Sequence, residues 1–562
     1  VIRASLAVLV LLCVAQALSY WHYVNDDAYI TFRYSRSLAS GQGPFFNPGE
    51  HVEGYTNLLL MLLVAGVIAV FGPAAAAPAA KVVGVACGAA GVLLAFAAVR
   101  LLGSDGADRE RTDLVALTAA GFVALSPTWA LHSTSGLETT LYALLLGLGV
   151  VLGLLADRDR RWRGSGFAFA AAALTRPEGA LLFTVFWVAR SWSLVPTLRC
   201  RGGGAALGEA RSRGLIADGL VVAVALALLL AFRLLTYDGE WLPNTYYAKI
   251  GGSYGVSVWH YLFAGGIRPF FGWGGVFLAA AGMILGRARL PLSPPLVAVA
   301  LFGVAEPLWA ATDWMPGWRL VVPSLPLMAA WVAPGWSLLL ERVSPFRRAA
   351  PLLILSTLPV AWVLSGPERE ELRHRTLLRA QGYQTGHRAL ARWLASGAAR
   401  PGDTVALMDI GIVGYLNPHL RILDLTGLTD RHIARSPGRF LEKAYDPGYV
   451  VDQSPGFIVI VFAADGTPYR TPEGPVRFAP FTPIEKALYA SDSFRRKYLS
   501  PPGSDRLSWP QDLARAVGGV RVFEHASPDM HYLLVVFRRQ EEQRDPQPSP
   551  SGRLPTGPRS ST

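Results

Sequence analysis

Charge is what this chain has least of. Only 16% of its 562 residues are Asp, Glu, Lys or Arg, while 52% are hydrophobic. Soluble domains carry about a quarter charged residues, so the composition excludes an ordinary soluble or disordered protein and marks a membrane protein. Cysteine is nearly missing too. Cys13 and Cys87 sit in apolar runs and Cys200 in a basic loop. With no CxxC and no plausible pair, neither a disulfide framework nor a thiolate metal site is expected. Acid is the scarcer sign, giving a net charge of +12. The arginines stand in short clusters between apolar runs, as the positive-inside rule produces, so no nucleic-acid partner is expected. An evident internal repeat, the mark of many transporters, is also missing.

What is present is a succession of apolar runs. The first, Ala4 to Trp21, could pass for a signal peptide, but the spans that follow make it a retained first helix. Arg3 before it predicts a cytoplasmic N-terminus. The run Leu58 to Phe71 reaches only about 21 Å, short of the roughly 30 Å hydrocarbon core, and is read as a helix that does not cross. Spans are then expected near 79–102, 113–131 and 139–156. Residues 164–195 read as two short helices bent at Thr175-Arg176-Pro177-Glu178-Gly179, because Pro177 lacks a backbone donor and disfavours helix at Arg176. Further spans are expected near 214–235, 269–286, 293–311, 320–340 and 349–365. The fold class is therefore a polytopic α-helical membrane protein of about eleven spans, residues 1–365, with a first outer loop over 22–78. From Gly366 charge returns, and Thr404 to Met408 and Phe457 to Phe462 read as buried strands. Residues 366–540 are expected to form a soluble extracytoplasmic α/β domain, and 541–562 a disordered tail.

This topology sorts the chemistry by side. Asn25-Asp26-Asp27 follows the first span at once. Asn25 suits a helix N-cap with two acids in the first turn, but paired carboxylates where a span surfaces also mark a functional site. On the same face emerge Arg33; Glu53, Tyr55 and Asn57; Glu138; Arg176 and Glu178; Asn244, Tyr246 and Lys249; and Asp313, Trp314 and Arg319. Singly, each has a plain reading as a helix cap, a snorkelling cation or an interfacial aromatic. Together they describe a polar cavity at the outer leaflet, rich in carboxylates and cations. A lipid-phosphate-linked sugar needs that mixture. Its leaving group is already an anion, so no general acid is required, unlike in glycosidases. It needs a carboxylate for the acceptor hydroxyl's proton or the oxocarbenium-like centre, and cations for the phosphate. Asp26, followed by Asp27, is the expected catalytic carboxylate. Arg33, Arg176, Lys249 and Arg319 are the expected phosphate binders. Glu53, Tyr55, Asn57, Glu138, Glu178, Asn244, Tyr246, Asp313 and Trp314 are expected to contact substrate.

The strings Asp26-Asp27-Ala28-Tyr29-Ile30-Thr31-Phe32-Arg33-Tyr34, Phe46-Asn47-Pro48-Gly49-Glu50 and Val52-Glu53-Gly54-Tyr55-Thr56-Asn57 resemble the GT-C superfamily of polyprenyl-phosphate-sugar glycosyltransferases. Within it, the chain is most similar to the mycobacterial-type terminal β-arabinofuranosyltransferases and their bacterial homologues. Ser135 to Thr139, Thr175 to Gly179, Leu242 to Lys249, Asp313 to Gly317, Asp409-Ile410-Gly411 and Asp424 to Leu428 follow in that family's order. Ala311-Thr312 departs from it, standing where glycines are expected before the aspartate. The resemblance implies a GT-C fold, an active site in the first outer loop with one Asp of the pair essential, a polyprenyl-phosphate sugar donor, and a glycan or glycolipid acceptor. It also implies a multi-pass protein of the cytoplasmic membrane with its active site and C-terminal domain outside. No cofactor is required by these residues; a divalent cation is left open, without dedicated ligand spacing. The rival readings are a lipid-linked-glycan flippase or transporter and a non-catalytic glycan-binding membrane protein. Asp409-Ile410-Gly411 after a strand is not GxGxxG, and reads first as a turn needing small residues. The other reading is that Asp409, Tyr415 and Asp424 line an acceptor surface.

Overall fold

The computed structural model describes residues 2–103, 109–192, 210–250, 257–262, 293–310, 313–342, 362–363, 365–464, 478–499, 520–527 and 530–540. The spans expected near 269–286 and, for most of its length, 349–365 lie outside the described residues, as do Cys200 and the tail. The N-terminal part is helical: α1 (Ile2–Leu18), α2 (Asp26–Ala39), α3 (Leu58–Phe71), α4 (Ala76–Leu102), α5 (Arg109–Leu125), α6 (Pro127–His132), α7 (Thr139–Asp159), α8 (Ser165–Thr175), α9 (Glu178–Trp192), α10 (Ala210–Thr236), α11 (Asn244–Lys249) and α12 (Pro294–Val304). Three stretches among the described residues are long and apolar enough to cross a membrane: Pro73–Leu102, Thr139–Asp159 and Ser212–Thr236.

Local chemistry explains the breaks. α8 ends and α9 begins across Arg176-Pro177, where the sequence predicts a bend. The stretch expected as one span over 113–131 is instead divided. Ser126 caps α6 by accepting from the Trp129 amide at 3.3 Å, and Pro127 takes the first helical position. Trp129, fully buried, lies against α4, where a Cβ on Gly91 would meet its ring at 2.4 Å. Only glycine allows that approach.

The C-terminal part is α/β. Helices α13 (Gly366–Thr385) and α14 (His387–Trp393) precede β1 (Thr404–Leu407), then α15 (Ile410–Leu416), β2 (Arg421–Asp424), β3 (Phe457–Ala464), β4 (Phe478–Pro480), β5 (Val520–Ser527) and β6 (Met530–Arg538). The sheet order is β2-β1-β3-β6-β5, with β4 also paired to β3. β1 is parallel to β2 and β3; β6 is antiparallel to β3 and to β5. Strand alternation gives the sheet two buried faces. Ala406, Ile458, Ile460 and Val535 enter a core internal to this domain. Val405, Phe457, Val459 and Val536 enter a core shared with Ile30 and Tyr34 of α2, Phe46, Tyr55, and Met61 of α3. The domain is thus fused by its hydrophobic core to the first loop of the membrane part.

Candidate active site

α2 begins where the sequence predicts it. The Asn25 side chain accepts from the Asp27 amide at 3.0 Å, and Asp26 and Asp27 form the first turn. Consecutive helix residues point about 100° apart, so the two acids part company. Asp26 is buried and faces α15. Its Oδ2 accepts from the Gly411 amide at 3.0 Å and its Oδ1 from the Ile412 amide at 2.7 Å. A Cβ on Gly411 would lie 2.1 Å from the Asp26 carbonyl oxygen, so the docking requires glycine there. Burial first, and the charge of Asp409 opposed by His387, push the Asp26 carboxyl up to about 6. Both its oxygens are thus engaged by backbone amides of the C-terminal part.

Asp27 is half-buried, and among the described residues no donor reaches its carboxylate. It faces a cleft lined also by Lys249, Trp314, Tyr383, Asp409 and Tyr532. Burial raises the Asp27 carboxyl, while Lys249 and Arg319 oppose that shift. Lys249 is exposed, at the end of α11, and lies 5.7 Å from the centroid of the Phe440 ring. Trp314 sits 5.1 Å beneath Arg379. The cleft therefore combines an unpartnered carboxylate, a cation and aromatic walls.

A second group of expected residues forms a charged network beside it. Thr31 of α2 donates to Asn57 at 3.1 Å, Asn57 to Glu138 at 3.0 Å, and Arg319 to Glu138 at 2.7 Å. Arg319 also lies 3.8 Å from Asp313. Arg176 pairs with Glu306 at 2.8 Å and Glu178 at 3.3 Å. Burial alone would raise Glu138, but Arg319 and Arg176 hold it down at about 2. Among the described residues, Arg176 Nη1 and Arg319 Nε are buried donors without a hydrogen-bond acceptor, so this network retains polar capacity.

Other expected residues are placed elsewhere. Arg33 is a correction: its guanidinium donates to the carbonyls of Phe46 (2.6 Å), Gly414 (2.7 Å) and Leu420 (2.8 Å) and to Asn47 Oδ1 (3.2 Å). It is buried, and binds the C-terminal domain rather than facing the cleft. Glu53 pairs with Arg233 at 2.8 Å, and the Tyr55 hydroxyl meets that of Tyr237 at 3.0 Å. Asn244 donates to the carbonyls of Gly427, Leu428 and Asp430. Tyr246 is exposed and packs edge-on against Tyr247. Of the three C-terminal candidates only Asp409 lines the cleft. Tyr415 donates to the Pro73 carbonyl, and Asp424 is buried, accepting from Thr426 and Thr429.

Sequence reasoning missed several residues. His387 and Tyr532 both bond Asp409, at 3.0 and 3.1 Å. A second cleft, also lined by Tyr383, has His22, Lys81 and Arg388 on its walls and no carboxylate among the described residues. Lys81, a lone cation early in a long apolar helix, was the one available signal for it. Among the described residues no group of three or more His, Cys, Asp or Glu is placed to hold a metal ion.

Comparison with known proteins adds three kinds of likeness. Residues 371–504 match a domain of unknown function (DUF8728). Over 341 residues the chain is 29% identical to a terminal β-(1→2)-arabinofuranosyltransferase of Corynebacterium glutamicum, covering 54% of this chain and 46% of that protein. The chain thus spans about half the length of this relative. Among solved structures, ArnT from Cupriavidus metallidurans bound to undecaprenyl phosphate matches with a TM-score of 0.44 and 15% identity, over 95% of this chain and 97% of that one. The Archaeoglobus fulgidus oligosaccharyltransferase tethered with an acceptor peptide matches with a TM-score of 0.49 and 10% identity, over 96% of this chain and 88% of that one.

Proposed function

We propose that the protein is an integral-membrane glycosyltransferase that moves a sugar from a polyprenyl-phosphate donor to a hydroxyl of a cell-envelope glycan or glycolipid, at the outer face of the cytoplasmic membrane. Arabinofuranose is the sugar that the similarity to the Corynebacterium glutamicum protein favours. The observation that carries the reading is Asp27. Its carboxylate has no donor among the described residues and faces a cleft shared with Lys249 and aromatic side chains, just beyond the first apolar helix.

In this mechanism the acceptor hydroxyl attacks the anomeric carbon as the bond from that carbon to the phosphate oxygen breaks. The polyprenyl phosphate leaves as an anion and needs no proton. Asp27 takes the proton from the attacking hydroxyl, and burial raises its carboxyl's affinity for that proton. Lys249 offsets charge on the phosphate side. The chain of hydrogen bonds from Arg319 through Glu138 and Asn57 to Thr31 stiffens the wall behind Asp27. Purified full-length protein in nanodiscs, given radiolabelled polyprenyl-phosphate arabinose and a synthetic arabinofuranoside, should yield an elongated product. No elongation by the folded protein, together with movement of the labelled lipid between leaflets of sealed proteoliposomes, would refute the reading.

A further inference from the structure

The helix α15 has an unusual start. Its N-cap residue, Asp409, is of the type that ordinarily accepts from the second and third helical amides. Here the Asp409 side chain makes no such bond. The amides in question belong to Gly411 and Ile412, and both are taken by Asp26 from the other domain. The capping role has been exchanged across the interface, and the carboxylate of Asp409 is released from its own helix.

That released group is then held firmly for another use. His387 Nε2 lies 3.0 Å and the Tyr532 hydroxyl 3.1 Å from Asp409, both at Oδ2. Oδ1 has no hydrogen-bond donor among the described residues, and the Asp409 side chain remains 27% exposed, at the wall of the cleft that Asp27 faces. His387 and Tyr532 are buried, and Tyr532 is backed by His525, stacked on its ring at 4.7 Å and 4°. A carboxylate with one oxygen fixed by two buried partners and the other presented to a cleft is a preorganised hydrogen-bond acceptor.

We propose that Asp409 binds a hydroxyl of the acceptor sugar through Oδ1, with His387 and Tyr532 as positioning residues, so that the C-terminal domain supplies the acceptor half of the active site. The proposal rests on the transferase reading. It extends that reading by separating the roles of two carboxylates: Asp27 removes the proton of the reacting hydroxyl, and Asp409 recognises a neighbouring hydroxyl of the same sugar. The aromatic residues Phe440 and Phe481 on the same wall offer an apolar face to the sugar ring.

The test uses full-length protein in nanodiscs and two probes, an octyl arabinofuranosyl disaccharide and undecaprenyl phosphate, titrated by calorimetry. Asp409→Asn should weaken the disaccharide by about tenfold or more and leave undecaprenyl phosphate binding unchanged. His387→Gln and Tyr532→Phe should weaken the disaccharide less, in the same direction. In turnover these variants should raise the acceptor KM with kcat lowered little, a split that a merely folding-related role would not produce. Equal disaccharide affinity in wild type and Asp409→Asn overturns the proposal, as does an equal loss of both probes. Failure of the wild type to bind undecaprenyl phosphate, in the same titrations, defeats the transferase reading instead.

Discussion

At the scale of the residue, the structure divides two neighbouring acids by what surrounds them. Asp26 answers two backbone amides across a domain boundary; Asp27 answers none among the described residues. Replacing Asp26 by Ala strands two buried amides, at about 1–3 kcal/mol each, so that variant should melt earlier and lose activity through undocking. Asp26→Asn keeps one acceptor and should fall between. His387 carries a pH dependence. Burial works against its charged form, but the hydrogen bond and charge of Asp409, with Asp26 behind, raise its pKa above 6.5. A raised pKa means the folded state holds the proton more tightly, so the His387–Asp409 pair stabilises fully below 6.5 and fades as pH climbs through the raised value. The melting temperatures of wild type and His387→Gln should therefore differ most near about pH 6 and converge toward about pH 9. A gap independent of pH would contradict the ion pair.

At the scale of the element, the decisive piece is α15, docked by its first turn onto the first turn of α2. Gly411→Ala would place a methyl 2.1 Å from the Asp26 carbonyl oxygen, so α15 must withdraw. The expected result is loss of transfer with faster proteolysis within α15, whose residues Ile410 to Tyr415 are buried in the wild type. Much at this scale was legible in the sequence. The bend at Arg176-Pro177, the cap at Asn25 and the strands β1 and β3 follow from proline geometry, capping chemistry and apolar runs. The partnership of Asp26 with α15 was not, because it joins residues 385 positions apart, and no local pattern encodes such a contact. Arg33 was misread for a related reason. An arginine near a carboxylate pair invites a phosphate, but its donors are met by carbonyls of a distant domain. The Asp409-Ile410-Gly411 turn did need a small residue, as read, yet the neighbour that demands it is Asp26.

At the scale of the whole molecule, the two parts share one hydrophobic core, with Ile30, Tyr34 and Met61 packed under the sheet. Deleting residues 366–540 would bare that apolar face, so truncation should yield aggregated protein rather than a donor-only enzyme. The sidedness can be read with a single reporter. Ser396 is exposed, and Cys13 and Cys87 are buried. Ser396→Cys, with Cys200 replaced by Ser, should react with a membrane-impermeant maleimide on intact cells if the C-terminal domain lies outside; labelling only after lysis would invert the topology. The central claim is that Asp27, not its neighbour, performs the proton transfer in sugar transfer from a lipid phosphate. Transfer rates of Asp27→Asn and Asp26→Asn, with polyprenyl-phosphate arabinose and a synthetic acceptor at matched folded protein, test it most directly. Asp27→Asn should lose about a hundredfold or more in kcat, and folded Asp26→Asn far less. Wild-type turnover by Asp27→Asn would contradict the account.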